Sequence, residues 1–387
     1  MKPPPLSLYI HIPWCQRKCP YCDFNSHAVT GEVDEIAYVD ALLKDLRGDL
    51  PLLGGRSLAT IFIGGGTPSL FSVNAMACLL ERVKGLVGFT REVEITLEAN
   101  PGALEAERLP GYREAGINRL SLGVQSLNAS SLLALGRIHD PQQAIDAVVR
   151  AKQAGFEHIN LDMMFALPQQ TTATAREDLA SVIELGAGHL SYYQLTLEPN
   201  TPFYRTPPPL PDEETLWDIQ QQGEAMLARA GFDHYEISAF ARPGEVCRHN
   251  LNYWRFGDYL GIGAGAHGKV TTADGLIKRY WKYRHPSDYL AAGAGSSGFV
   301  QGERTLQPPD LVLEFMMNAL RLSAGVETAL FQATTGLSVT AIRDRLHLAE
   351  AKGLLLPVNE RLRPTSLGQR FLNDLLAFFE VNAVSSD

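Results

Sequence analysis

The chain has 387 residues, 45% hydrophobic and 20% charged, with a formal net charge of −9 and a pI near 5.6. This composition sets aside intrinsic disorder, and at roughly 100 to 200 residues per domain it leaves room for two or three folded units. The acidic balance argues against a nucleic-acid surface or an anionic-membrane surface, which would concentrate Lys and Arg, and no run approaches the ~18 apolar residues of a membrane span. The N-terminus, Met1-Lys2-Pro3-Pro4-Pro5 followed by a short apolar run, has no basic region and cleavage site of a secretion signal, so a cytoplasmic location is expected.

From residue 6, short β-branched or apolar runs alternate with longer stretches of helical period, the pattern of strand-helix units around a parallel sheet. Strands are predicted at Leu6–Ile12, Ala59–Ile63, Val93–Ala99, Arg119–Val124, His158–Met164 and Leu190–Leu197. The first helix carries Ile36, Val39, Leu43 and Leu46 on one apolar face, with Asp34, Glu35 and Asp40 outside it. Six units are too few for an eight-unit barrel, so the fold class is α/β, a partial (β/α)₆ TIM-type barrel, with a doubly wound sheet as the competing architecture. After the Pro-rich segment Arg205–Pro211, a helix over Asp212–Ala230, a strand near His234–Ile237 and the Gly-rich stretch Leu260–Gly268 extend the barrel. Residues 291–298 read as a linker. From Pro308 the pattern is mostly helical and winged-helix-like, ending in a helix from Ser366. The expected division is 1–205, a barrel core; 206–300, a barrel extension; and 301–387, the C-terminal module.

Three of the five cysteines crowd into the loop after the first strand as Cys15-x₃-Cys19-x₂-Cys22, which in a reducing compartment reads as metal binding. A structural zinc site wants four ligands, whereas three thiolates on a four-iron cluster leave one iron open. A Cys₃His zinc site using His11 or His27 is the alternative. Arg17 and Lys18 favour deprotonated sulfur or form an ordinary solvated face. Cys78 is expected in the core, and Cys247 is either a soft ligand or an inert buried thiol.

Polar groups finish the following strands: Gly64-Gly65-Gly66-Thr67, Glu98-Ala99-Asn100, Gln125-Ser126 and Asp162. Glycines let backbone amides approach a ligand, and carboxylates and amides suit ribose hydroxyls and a base edge; helix capping and turns are the structural alternatives.

The cysteine spacing, its position and Tyr21 before the last cysteine resemble the radical S-adenosylmethionine superfamily. The resemblance implies a [4Fe-4S] cluster on Cys15, Cys19 and Cys22 whose open iron chelates S-adenosylmethionine, and a reducible centre able to generate the 5′-deoxyadenosyl radical. The chain is similar over nearly its whole length to the coproporphyrinogen-oxidase-like branch, particularly the HemW-type haem chaperones. This similarity rests on Tyr9-Ile-His-Ile-Pro-Trp-Cys15, Phe62-Ile-Gly-Gly-Gly-Thr-Pro68, Glu98-Ala-Asn-Pro101, Ser121-Leu-Gly-Val-Gln-Ser126, Asp162 through Leu167-Pro168, and Arg248-His-Asn-Leu-Asn-Tyr-Trp254. It implies that Tyr9, Gly65, Gly66, Thr67, Glu98, Gln125, Arg137 and Asp162 contact S-adenosylmethionine.

Two features favour the chaperones over the oxygen-independent coproporphyrinogen oxidases, which remain the alternative function. Phe24 stands where those oxidases have a further cysteine, and the cluster motif begins 14 residues in, without their long N-terminal extension. His249, Asn250, Tyr253 and Trp254 match the H-N-x-x-Y-W motif associated with haem, an imidazole ligating iron and the aromatics covering the macrocycle; a histidine hydrogen-bonded in an aromatic core is the competing reading. Leu260 through His267 looks shared with the oxidases and is assigned to support of the fold or cofactor. The resulting expectation is a haem chaperone without coproporphyrinogen oxidase activity, whose partners are haem and haem-acceptor proteins, including respiratory ones, with no nucleic acid and no membrane span.

Overall fold

A computed structural model describes residues 3–295 and 298–380. Six strands run parallel in chain order: β1 (Leu6–Ile12), β2 (Leu58–Gly65), β3 (Phe89–Ala99), β4 (Arg119–Gln125), β5 (His158–Phe165) and β6 (His189–Gln194). Their order in the sheet has no reversal. A doubly wound sheet needs one, so the partial-barrel reading stands. All seven residues of β4 are buried, as expected where both faces of a parallel strand are covered.

At the β6 edge the sheet continues antiparallel through a hairpin of β7 (Asp233–Glu236) and β8 (Ala239–Ala241), with β8 against β6. At the other edge β9 (Asp258–Ile262) pairs parallel to β1. It is followed by antiparallel β10 (His267–Thr271), β11 (Ile277–Lys282) and β12 (Val300–Thr305). The Gly-rich stretch is therefore two strands and the turn between them. Because seven parallel strands share one direction, the loops after them gather at one edge, where ligands of such sheets sit.

A second core, containing Phe315, Phe331, Leu362 and Phe379, organises the C-terminal region. Its helices include Pro308–Ala319, Thr328–Thr335 and Arg343–Ala351, and its only ladder among the described residues pairs Val326–Glu327 with Arg361–Leu362. Residues 381–387 of the expected module lie outside the described residues, as do Met1 and Lys2 of the barrel core. Among the described residues no helix is long and apolar enough to cross a membrane.

Three expectations need correction. Ile36 is 77% exposed, and the helix Glu35–Asp49 instead buries Tyr38, Val39, Leu42, Leu43 and Leu46 together with Asp45 and Asp49. Lys282 resolves that oddity: its Nζ donates to Asp45 Oδ1 at 2.6 Å and to Asp49 Oδ2 at 2.9 Å, so the helix docks through ions as well as hydrocarbon. The expected linker begins inside the helix Pro286–Ala294, with Ala292 and Gly293 buried; Ser296 and Ser297 lie outside the described residues. Cys78 is exposed, because it points away from the face formed by Met76, Leu79, Leu80 and Val83.

Candidate functional site

The cysteine loop leaves β1 and returns on itself. Trp14–Cys15 pairs with His27–Ala28, and the Lys18 ammonium donates to the carbonyls of Phe24 (3.0 Å) and Ser26 (3.2 Å). Lys18 thus staples the loop as well as adding positive charge. Cys15 is buried, Cys19 and Cys22 are half-buried, and all three are free thiols. Burial pushes the Cys15 and Cys22 thiols above their ordinary range.

The three cysteines line a cavity of about 430 Å³ together with Gly65, Gly66, Thr67, Glu98, Gln125, Arg137 and Asp162. Ten of the site residues expected from sequence therefore share one space. The donor set fits a three-cysteine cluster: three thiols free of disulfides on one wall, with Arg17, Lys18 and Arg137 beside them to offset a thiolate-rich group's negative charge. Among the described residues no three His, Cys, Asp or Glu side chains stand close enough together to form a metal-ready group. The zinc alternative loses His11, whose Nε2 and Nδ1 are held by the Asn25 carbonyl (2.8 Å) and the Tyr9 hydroxyl (2.9 Å).

A chain of hydrogen bonds fixes the polar wall. Asn100 donates to Thr67 Oγ1 at 3.0 Å and accepts from Arg137 Nη2 at 2.7 Å; Arg137 also donates to the Gly123 carbonyl at 2.8 Å and reaches Cys19 Sγ at 3.7 Å. Its Nε is buried without a partner, a donor left for whatever enters the cavity. Asp162 accepts from Ser121 (3.1 Å) and Asn160 (2.8 Å). Gln125 is held at φ 66°, a left-handed conformation costly for a non-glycine residue at a strand end, while its side-chain Oε1 accepts from the Tyr193 hydroxyl at 2.7 Å. Burial, then the nearby Asp162 charge, pushes the Glu98 carboxyl up to about 8, although the Gly65 amide donates to it at 3.0 Å. A carboxyl so placed can hold a proton or receive a cationic donor near neutral pH.

The glycine run serves the loop as much as any ligand. Gly65 has φ +119°, and a Cβ there would stand 2.6 Å from the His11 ring; one on Gly66 would stand 2.4 Å from the Trp14 carbonyl oxygen. The end of β2 presses flat against the cysteine segment, which only glycine permits. Asn100, Ser121 and Tyr193 support the site too; Asn100 is visible in the sequence as a strand-end polar residue and Ser121 as part of a family-matching stretch, whereas Tyr193 carries no motif signal.

Tyr9 lies apart from these ten. It lines an adjoining cavity of about 480 Å³, bounded by Tyr253, Trp254, Tyr259, His267 and Arg279, and by Phe24, Gly65 and Glu98, which also border the first cavity. Asn250 lines a smaller inner cavity with Asp162 and Cys247. His249 is 1% exposed and lines none of the three. Its backbone and that of Arg248 donate to Glu94, which anchors the start of the helix Arg248–Trp254. The Thr60 hydroxyl donates to Ser7, so it accepts from His249 Nδ1 (2.8 Å), leaving Nε2 to accept from the Tyr253 hydroxyl (2.8 Å). Burial pushes His249 down to about 3 and the Cys247 thiol up to about 12. His249 thus orients Tyr253, and Cys247, bonded to Glu94, is an inert buried thiol.

A cysteine loop after the first strand of an open parallel barrel, facing glycine and carboxylate loops on its neighbours, defines a radical S-adenosylmethionine protein; residues 9–182 match that superfamily and residues 306–371 match the HemN C-terminal domain. The chain is 50% identical to the haem chaperone HemW of Escherichia coli (98% of this chain, 99% of that one) and 48% identical to that of Haemophilus influenzae (98% of each). It belongs to the HemW family. Among solved structures, coproporphyrinogen III oxidase (HemN) from Escherichia coli shares the fold, with a TM-score of 0.84 over 98% of this chain and 91% of that one, at 23% identity.

Proposed function

We propose that this chain is a cytoplasmic haem chaperone that binds haem and passes it to acceptor proteins, respiratory ones among them, while Cys15, Cys19 and Cys22 hold a [4Fe-4S] cluster with exchangeable S-adenosylmethionine. The names of its close relatives support the haem reading, and clustered free thiols suit a reducing compartment. The observation that carries it is the aromatic cavity bounded by Tyr253 and Trp254, of a size within the roughly 300 to 1,000 Å³ of small-molecule sites, adjoining the cysteine-lined one. We assign 1–205 to the cluster barrel, 206–300 to the segment that completes the aromatic cavity, and 301–387 to the C-terminal module.

The cluster, when bound, supplies an open iron for the methionyl group and an electron for sulfonium cleavage. The chain does the rest. Gly65, Gly66 and Thr67 keep the methionyl end against the cysteine loop; Glu98 and the free Nε of Arg137 meet its polar groups; Gln125 and Asp162 serve the adenosyl end. Tyr9 acts through His11, which ties β1 to the loop. Tyr253, Trp254 and Asn250 frame the haem side, with His249 holding Tyr253 in place.

The test is anaerobic reconstitution followed by haem titration, then mixing with a haem-free acceptor. About four irons per chain, a Soret band and its passage to the acceptor are expected. Zinc without iron would overturn the cluster, and conversion of coproporphyrinogen to protoporphyrinogen in the presence of S-adenosylmethionine would overturn the chaperone reading.

A further inference from the structure

We propose that the haem iron is ligated by His267, at the start of β10, and that His249 is a positioning residue behind the aromatic wall; this deepens the haem-binding reading above and rests on it.

Elimination within the cavity carries the assignment. Each other group there that could bind iron already has a partner. The Tyr9 hydroxyl is bonded to His11, whose second nitrogen is taken by Asn25, and the Glu98 carboxyl accepts from the Gly65 amide at 3.0 Å. The Tyr253 hydroxyl is bonded to His249, the Tyr259 hydroxyl to Arg279, and the Lys269 ammonium to Asp258 at 3.0 Å. Breaking any of these leaves a buried polar group unpaired, at roughly 1 to 3 kcal/mol. His267 is the exception: its side chain lines the cavity, the residue is exposed, and among the described residues its ring accepts and donates no hydrogen bond. A neutral imidazole nitrogen gives its lone pair to iron without proton transfer, and partial desolvation, then the nearby Arg279 charge, hold this ring below its ordinary pKa.

The backbone holds that imidazole in place. The turn before it runs through Gly263 (φ 101°) and Gly265 (φ 80°), left-handed positions that suit glycine. The Ala266 amide donates to the Gly263 carbonyl at 3.0 Å and the Lys282 amide to the Ala266 carbonyl at 2.9 Å. A Cβ on Gly261 would stand 1.9 Å from the His267 carbonyl oxygen, so β9 and β10 meet at a contact only glycine allows. Across the ladder His267 faces Trp281, whose ring lies 6.4 Å away at 30°. Asn25, from the cysteine loop, donates to the Ala264 carbonyl at 2.9 Å, tying this turn to the cluster wall. Haem held here has Tyr253, Trp254 and Phe24 for its apolar faces and an iron ligand open to solvent, as delivery to an acceptor requires.

The experiment titrates haem into reconstituted wild-type protein and into His267→Ala, His267→Cys and His249→Ala, recording Soret absorbance and electron paramagnetic resonance, with circular dichroism as the folding control. Outer partners of a metal are worth roughly 10- to 100-fold in affinity, so loss of the ligand itself should weaken haem binding at least about tenfold. Added imidazole should restore the His267→Ala spectrum, and His267→Cys should give a thiolate-ligated one. Folded His249→Ala should keep the wild-type ligation spectrum. A His267→Ala spectrum identical to wild type, or loss of imidazole ligation in folded His249→Ala, overturns the assignment. Failure of the wild-type protein to bind haem overturns the haem reading beneath it, and is told apart because it appears before any substitution.

Discussion

Glu98→Gln is the most informative single change at the cysteine-lined cavity. Moving a carboxyl from its ordinary 4.5 to about 8 corresponds to about 5 kcal/mol at ~1.36 kcal/mol per pH unit. The folded-state pKa is raised, so the folded chain binds the proton more tightly than the unfolded chain. That contribution is fully present below about 4.5 and is lost as pH rises through about 8. Glutamine keeps an acceptor for the Gly65 amide and carries no titration. In ligand-free protein, urea unfolding at a series of pH values should show Glu98→Gln gaining about 4 kcal/mol on wild type between pH 5 and 8.5. Other buried groups titrate in both proteins and largely cancel. A difference that stays constant over that range would refute the reasoning.

Lys282→Met should destabilise the barrel by about 3 to 5 kcal/mol by stranding Asp45 and Asp49, and adding Asp45→Asn and Asp49→Asn should recover much of it, read from urea midpoints. In native cluster-free protein a maleimide should modify Cys78 readily and Cys247 only after unfolding, as peptide mass spectrometry would show. Arg137→Ala removes the donors to Asn100 and Gly123 and should weaken S-adenosylmethionine binding about tenfold, measured by equilibrium dialysis with iron content as control. Unchanged affinity would place Arg137 outside the site.

The parallel strands were legible because burial on both faces leaves continuous apolar runs, and the polar ends of β2 to β5 marked the ligand edge. Partners distant in the chain were not legible. Asp45 and Asp49 look like solvent-facing residues until Lys282 arrives 237 and 233 positions later, and their burial shifts the helix's inner face away from Ile36. His249 shows the same limit: a motif names an imidazole but says nothing of whether its nitrogens are spent on Thr60 and Tyr253. The glycines after β2 carry a sequence signal for ligand contact or for a turn, whereas their Cβ clearances also demand them for packing against His11 and Trp14.

Position 24 gains most from the structure. By sequence it counted as a missing thiol, an argument against oxidase chemistry. In the fold it is a phenyl ring, 64% exposed, at the boundary of both cavities beside Gly65 and Glu98. An aromatic side chain presents roughly 150 to 250 Å². Covering the exposed part, about 130 Å² at ~25 cal/mol per Å², is worth about 3 kcal/mol, or about a hundredfold in affinity. A cysteine there would offer a sulfur and far less apolar area. Phe24 therefore places an apolar surface on the wall that the cysteine-lined and aromatic cavities share.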